Sequence, residues 1–251
     1  MDKPVPAPTL EETGLSPVLA ELLLPQNGLI LFSGMCGHGI SSLQAGLARH
    51  AAERPGRRQR IVRISEAEEF DFSGCTFGDN TLVDKIVSRA SCETARAIGW
   101  AQRSNAHMLS IDSQGDDGLE MAMESALTGH LVHLSRHGNG VIETLQRMTM
   151  TVDPCDLAFA LRAVVSRILV PRVEGKGRVP VHEILVVDPE LSIRMGQADP
   201  QLWPAIIGNP QEVDASGRYP STFATCCRNF YISGIISLSE AARIGGAGVA
   251  D

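Results

Sequence analysis

One stretch constrains the fold more than any other: Gly28–Ser33, then Gly34–Gly39, then Ile40 to about Ala52. Gly28-Leu-Ile-Leu-Phe-Ser33 is a continuous apolar run of strand length, the kind that sits in a parallel sheet covered on both faces. It opens into Gly34-Met-Cys-Gly37-His-Gly39, and a helix-like segment follows. The pattern then repeats. Ile61–Ile64, Met108–Asp112 and Leu131–Leu134 read as further strands, and Cys92–Arg103, Leu119–Thr128 and Val141–Met150 as helices. Strands alternating with helices predict an α/β fold around a parallel sheet.

Composition bounds this reading. The chain has 251 residues, 43% hydrophobic and 20% charged, a globular mixture that excludes extensive disorder and collagen-like or coiled-coil repeats. Aromatics are only 4%, so aliphatic side chains must build the core. A net charge of −7 argues against a surface made for nucleic acid, and no direct nucleic-acid binding is expected. No apolar run reaches the ~20 residues of a membrane helix, and the N-terminus lacks a signal pattern. A cytoplasmic chain follows, its cysteines reduced: none form CxxC pairs, and adjacent Cys226 and Cys227 are poorly placed for a bridge.

Residues 1–15, rich in Pro, Thr and Glu, read as a flexible arm. A helix is expected over Ser16–Leu24. A core over 16–152 is expected to give way near residue 153 to a mainly helical C-terminal subdomain, 153–251. In it, Leu157–Val170 reads as an amphipathic helix and Val170–Val187 as a hairpin around Glu174–Gly177.

The glycine-rich segment matches the P-loop pattern G-x-x-x-x-G-K-[S/T] at every fixed position but one, since Ile40 stands where the lysine belongs. Glycines let backbone N–H groups converge on phosphate, and the helix N-terminus adds positive potential. Gly34, Gly37, His38, Gly39, Ile40, Ser41 and Ser42 are the candidate phosphate-binding residues, with Ser41 a Mg²⁺ ligand. Isoleucine cannot supply the cation that steadies charge in phosphoryl transfer. Taken alone, the loop reads equally as a tight structural turn. Asp112, ending an apolar strand, is a second metal candidate or a solvated cap. His137 is a catalytic candidate or a hydrogen-bonding loop histidine. The basic run Arg54–Arg63 reads as solvated surface, the alternative being a partner or phosphate contact.

Glu124-Ser-Ala-Leu-Thr-Gly-His-Leu-Val132 followed by His137-Gly-Asn139 resembles the E-A-A-L-T-G-H-L-V … H-x-N signature of the type II/type IV secretion and pilus-retraction ATPases, the GspE/PilT superfamily. Leu161–Arg172, Gly175–Val179 and His182–Leu185 resemble the PilT C-terminal region. His137–Met148 resembles the DotB/TraJ branch of type IVB secretion and conjugation. The likeness covers about residues 16–240.

The resemblance implies a RecA-like P-loop core that binds ATP or ADP with Mg²⁺. It implies a homo- or hetero-hexamer with an ATPase paralogue, peripheral to the inner membrane on a secretion or pilus platform protein. The family's N-terminal PAS-like domain is expected to be absent, because about 27 residues precede the P-loop strand. The resemblance also assigns roles: Asp112 to the Walker B position, Glu69 to the end of the acidic box, His137 and Asn139 to the His box. It marks losses too. Ile40 replaces the lysine, Ser65 stands where an acid is expected, Asp112 is one methylene short, and Gln114 replaces an arginine. A kept scaffold with eroded chemistry predicts a weakly or non-hydrolysing subunit or regulatory partner. The alternatives are an active motor whose lysine role is supplied from elsewhere, and a nucleotide sensor outside secretion.

Overall fold

The structure, a computed structural model, describes residues 3–55, 59–75, 77, 81–88, 91–113, 115–116, 118–208 and 218–246. The chain begins with β1 (Val5–Pro6), α1 (Leu10–Thr13), α2 (Pro17–Leu22), β2 (Gly28–Ser33) and α3 (Ile40–Glu53). It continues through β3 (Arg60–Ser65), β4 (Phe70–Asp71), β5 (Leu82–Val87), α4 (Ser91–Arg103), β6 (Met108–Asp112), α5 (Leu119–Leu127), β7 (Leu131–Arg136) and α6 (Val141–Met148). Then come α7 (Pro154–Ala160), β8 (Leu161–Pro171), β9 (Arg178–Val186), α8 (Pro189–Gly196), a 3₁₀ turn (Pro200–Leu202), α9 (Trp203–Ile207), α10 (Phe223–Ile232) and α11 (Leu238–Gly245). Seven strands form one sheet in the order β5-β3-β6-β7-β2-β8-β9, parallel except for the β8–β9 hairpin.

The alternation of side chains along β2 sorts the core into two layers. Leu29 and Leu31 face α4, α5, α6, α7 and α8, where Ile98, Leu119, Leu145 and Leu157 cover them. Ile30 and Phe32 face α3 and the N-terminal segment, against Leu43, Leu47 and Leu23. All six β2 residues are buried. Each fully buried aliphatic or aromatic side chain contributes about 1.5–3 kcal/mol, so two covered faces hold this strand firmly. A third cluster, around Val170, Val181, Cys227 and Ala241, seats α10 and α11 on the β8–β9 hairpin. No helix among the described residues is long and apolar enough to cross a membrane. Cys36, Cys75, Cys155, Cys226 and Cys227 are free thiols.

Three expectations are corrected. The segment 1–15 is not a loose arm where it is described. Val5 donates its N–H to Glu69 O (2.9 Å) in a parallel β1–β4 pair, Arg49 Nη1 donates to Ala7 O (2.8 Å), and Ala7, Thr13 and Leu15 are buried. Thr9 and Glu12 close a capping box on α1, each side chain accepting from the other's N–H. Second, Leu161–Pro171 is a strand, not the rear of a helix. It lies between β2 and β9 with both faces covered, and such a strand reads as an unbroken apolar run whose period decides nothing. Residue 153 therefore marks no break in the sheet, and helices prevail only from Pro189. Third, β5 was not anticipated. It lies at the sheet edge, and Asp84 and Lys85 interrupt its apolar pattern.

His133 on β7 is fully buried, 5.0 Å from the Phe32 ring, and its Nε2 donates to Leu23 O (2.8 Å). Burial lowers its pKa to about 4, and burial lowers that of His182, 4% exposed, to about 3. Both rings are neutral when folded, whereas unfolded histidine titrates near 6.5. The unfolded chain therefore takes up protons first as pH falls, so their stabilisation is complete above about pH 6.5 and shrinks towards pH 4. Urea melts between pH 7.5 and 4.5 should show this decline, on the order of 3 kcal/mol for His133. His133→Gln should flatten it; an unchanged slope would refute the neutral buried histidine.

Candidate functional site

The C-terminal ends of β2, β3, β6 and β7 lie along one edge of the sheet, where α/β proteins place their ligand sites. The loop Gly34–Gly39 leaves β2 there, flanked by Asp112 at the end of β6 and His137 just past β7. Two strand spacings, about 10 Å, separate the ends of β2 and β6.

The loop turns tightly, with His38 donating its N–H to Met35 O at 3.1 Å. Gly39 has φ +74° and is the N-cap of α3, a conformation a side chain resists. Gly34 admits no Cβ, which would lie 2.9 Å from Arg167 O and 3.0 Å from Ile40 Cγ1. That contact also shows where Ile40 points. Its side chain is 8% exposed and packs into the α3-side core beside Gly34. Among the described residues, the backbone N–H groups of Cys36, Gly37, Gly39, Ile40 and Ser41 meet no acceptor. Met35, Cys36 and Gly37 are exposed, and His38, Gly39, Ser41 and Ser42 half-buried. The loop is therefore an open set of unpaired donors at a helix N-terminus, the arrangement that fits phosphate.

Beside it, the Asp112 carboxylate is already engaged. Ser135 Oγ donates to Oδ1 at 3.0 Å, and Arg63 Nη2 lies 3.8 Å from Oδ2. Arg63 corrects the reading of Arg54–Arg63 as solvated surface. It is 4% exposed, stacks over Phe70 at 5.7 Å and approaches Ser110 Oγ at 3.5 Å. Burial depresses its pKa, and the charges of Asp112 and then Glu69 oppose that shift. Glu69, itself exposed, thus shares one buried cation with Asp112. Its neighbours on the acidic segment are tied locally: Ser65 Oγ donates to Ala67 O (2.7 Å), and Ser113 Oγ to Glu66 Oε1 (3.2 Å). Two further basic residues of the run are paired. Arg54 meets Glu21, and Arg60 Nε meets Asp84 Oδ2 at 2.7 Å.

His137 and Asn139 are exposed at the mouth of this edge. Asn139 donates its N–H to Glu143 Oε2 (3.2 Å), Gly140 to Ser166 Oγ (2.9 Å), and Val141 to Glu183 Oε2 (2.7 Å). Burial raises the pKa of Glu183, and the Val141 N–H acts against it. Gln114 lies outside the described residues.

Three strand arginines have surroundings that the sequence did not foretell: Arg63, read as part of a solvated run, and Arg136 and Arg167, given no role of their own. Arg136, 8% exposed, donates to Gly115 O at 2.7 Å. Arg167, 4% exposed, lies with Nη2 3.6 Å and Cζ 3.7 Å from where a Cβ of Gly39 would be. The available signal was a charged residue inside an apolar strand, Arg63 between Val62 and Ile64, and Arg167 in Val-Val-Ser-Arg-Ile-Leu-Val.

The chain belongs to the type II/IV secretion system protein family, which it matches over residues 11–205. Pseudomonas aeruginosa PilU, a type IV pilus ATPase, is 28% identical over 191 residues, 72% of this chain and 48% of PilU. Among solved structures, the Legionella pneumophila ATPase DotB superposes with a TM-score of 0.84 at 22% identity, over 96% of this chain and 66% of DotB. The pilus retraction motor PilT, solved with bound ADP, superposes at 0.78 and 22% identity, over 97% and 68%. The fold is the RecA-like α/β fold of these ATPases. The chain spans about half to two thirds of the length of curated relatives it matches.

The buried Arg63 makes Asp112 a structural partner whatever else it does. Asp112→Ala should destabilise the chain by about 1–3 kcal/mol, because a desolvated cation loses its nearest anion. Adding Arg63→Leu should recover part of that loss. Equal melting of Asp112→Ala and the wild type would show that the pair carries no weight.

Proposed function

We propose that this chain is a nucleotide-binding subunit of a type II/IV secretion, conjugation or pilus machine that hydrolyses ATP weakly or not at all. The reading rests on one observation: the loop keeps its free backbone donors while Ile40 turns into the core. Phosphate recognition of that kind is carried by backbone and helix N-terminus, whereas transfer needs a cation aimed at the developing charge. The engaged Asp112 carboxylate and the serine at Ser65 support the same view. Magnesium, if held, would use Ser41 directly and Asp112 through water, as is common for this ion. Glu69 and His137 then help to order the water and the mouth of the site rather than drive rapid turnover. Family membership supports a place at an inner-membrane platform, in a homo- or hetero-hexamer with an active ATPase paralogue. A regulatory or structural subunit suits the eroded chemistry.

A second reading, an active motor with the lysine role supplied from elsewhere, is favoured by the guanidinium of Arg167 beside Gly39. One assay separates the two. The purified chain should bind ADP and ATP, yet release phosphate at background with Mg²⁺ when alone, and add nothing to the release of an intact family ATPase when mixed with it. Ile40→Lys should raise turnover about 10²-fold, the usual worth of one well-placed electrostatic group. Brisk Mg-dependent turnover by the wild type would overturn the weak-hydrolysis reading in favour of the second.

A further inference from the structure

Arg167 is in an unfavourable place for a cation. It sits on β8 one residue past Ser166, which pairs with Ser33 at the end of β2, so its strand carries it alongside the loop. Its Nε and Nη1 are buried without a hydrogen-bond partner, and among the described residues no carboxylate pairs with it. Burial alone lowers its pKa, to about 10, so it remains charged at neutral pH. Its head lies against Gly39, the N-cap of α3, where the helix dipole is positive. His182, its cross-strand partner, is neutral with Nε2 unpartnered. His38 Nδ1 is likewise unpartnered, and Arg178 and Arg243 lie near enough to act on that ring along with Arg167.

An unpaired buried charge is destabilising, and a helix N-terminus adds to that cost. A phosphate group in the loop relieves both, since it accepts from the free backbone N–H groups and faces the guanidinium at once. We infer that Arg167 is the phosphate-binding cation of this loop, reaching from β8 to the place that Ile40 leaves without charge, and that the ligand is the phosphate chain of a nucleoside di- or triphosphate. The nucleoside half of this statement rests on the nucleotide reading above; the phosphate half stands on Arg167 and the loop.

The test is calorimetric titration of the full chain with ADP, inorganic pyrophosphate and AMP. Wild type should bind ADP and pyrophosphate, and AMP at least ~10-fold more weakly. Arg167→Gln should weaken ADP and pyrophosphate about 10- to 100-fold, as expected for a lost charge-assisted contact, and leave AMP unchanged. Arg167→Lys should recover most of the loss. Without ligand, Arg167→Gln should melt no lower than wild type, because an uncompensated charge has been removed. A variant that melts lower and binds all three ligands poorly would assign Arg167 a purely structural role. ADP binding that is indifferent to Arg167→Gln would overturn the inference and leave the nucleotide reading standing. Pyrophosphate binding that depends on Arg167, with no binding of ADP, would do the reverse. Binding of neither would remove both.

Discussion

The pairing of β2 with β7 on one side and β8 on the other is the constraint on which the site depends. Six consecutive residues of β2 are hydrogen-bonded into β7 in parallel, and five pair with β8 across a single register shift. This fixes where the loop begins, and it delivers the neighbours of the loop to one level. Ser33, Arg136 and Ser166 stand side by side, and Arg167 follows immediately. A slip of one residue between β2 and β8 would send Arg167 to the opposite face of the sheet. The covered faces prevent that slip, because Ile30, Phe32 and Val165 belong to one core layer and Leu29, Leu31 and Val164 to the other.

The electrostatics of the edge follow from the same register. Three arginines project from strands into desolvated positions, and they differ in what meets them. Arg63 has Asp112 and Glu69 within reach, Arg136 has backbone carbonyls, and Arg167 has neither. Two of the three are therefore part of the protein's own bonding. The third keeps its Nε and Nη1 without a partner among the described residues, which is the feature that the proposed anion answers.

Much of this was legible in the residues. The run from Gly28 through Ala52 dictates strand, loop and helix, and the chain folds so. Apolar runs gave β3, β6 and β7 within a residue or two, and Gly34–Ser42 marked the loop. The misses have common causes. Leu161–Pro171 hid its period because both of its faces are covered. β5 hid its identity because it has one neighbour and carries charges. The segment 3–15 is polar in composition, yet a few contacts, the capping box and Arg49 among them, hold it down. At the site, spacing showed which residue was missing at position 40. It did not show that Asp112 was occupied by Arg63, or that a guanidinium approached from residue 167. Those are facts of sheet order, which brings together residues far apart along the chain.

The same sheet order leaves β5 with an open flank. Among the described residues its one strand partner is β3, and Leu82 is 58% exposed. Such an edge is a ready template for another strand. Here Asp84 is held by Arg60 and Lys85 by Glu68 Oε1 at 2.6 Å, which sets paired charges in the middle of the strand. Charges in that position are unfavourable to strand addition. The charges that made β5 hard to recognise as a strand are thus of the kind that discourages a further strand from adding to such an edge, so protection of the edge and legibility pull in opposite directions there.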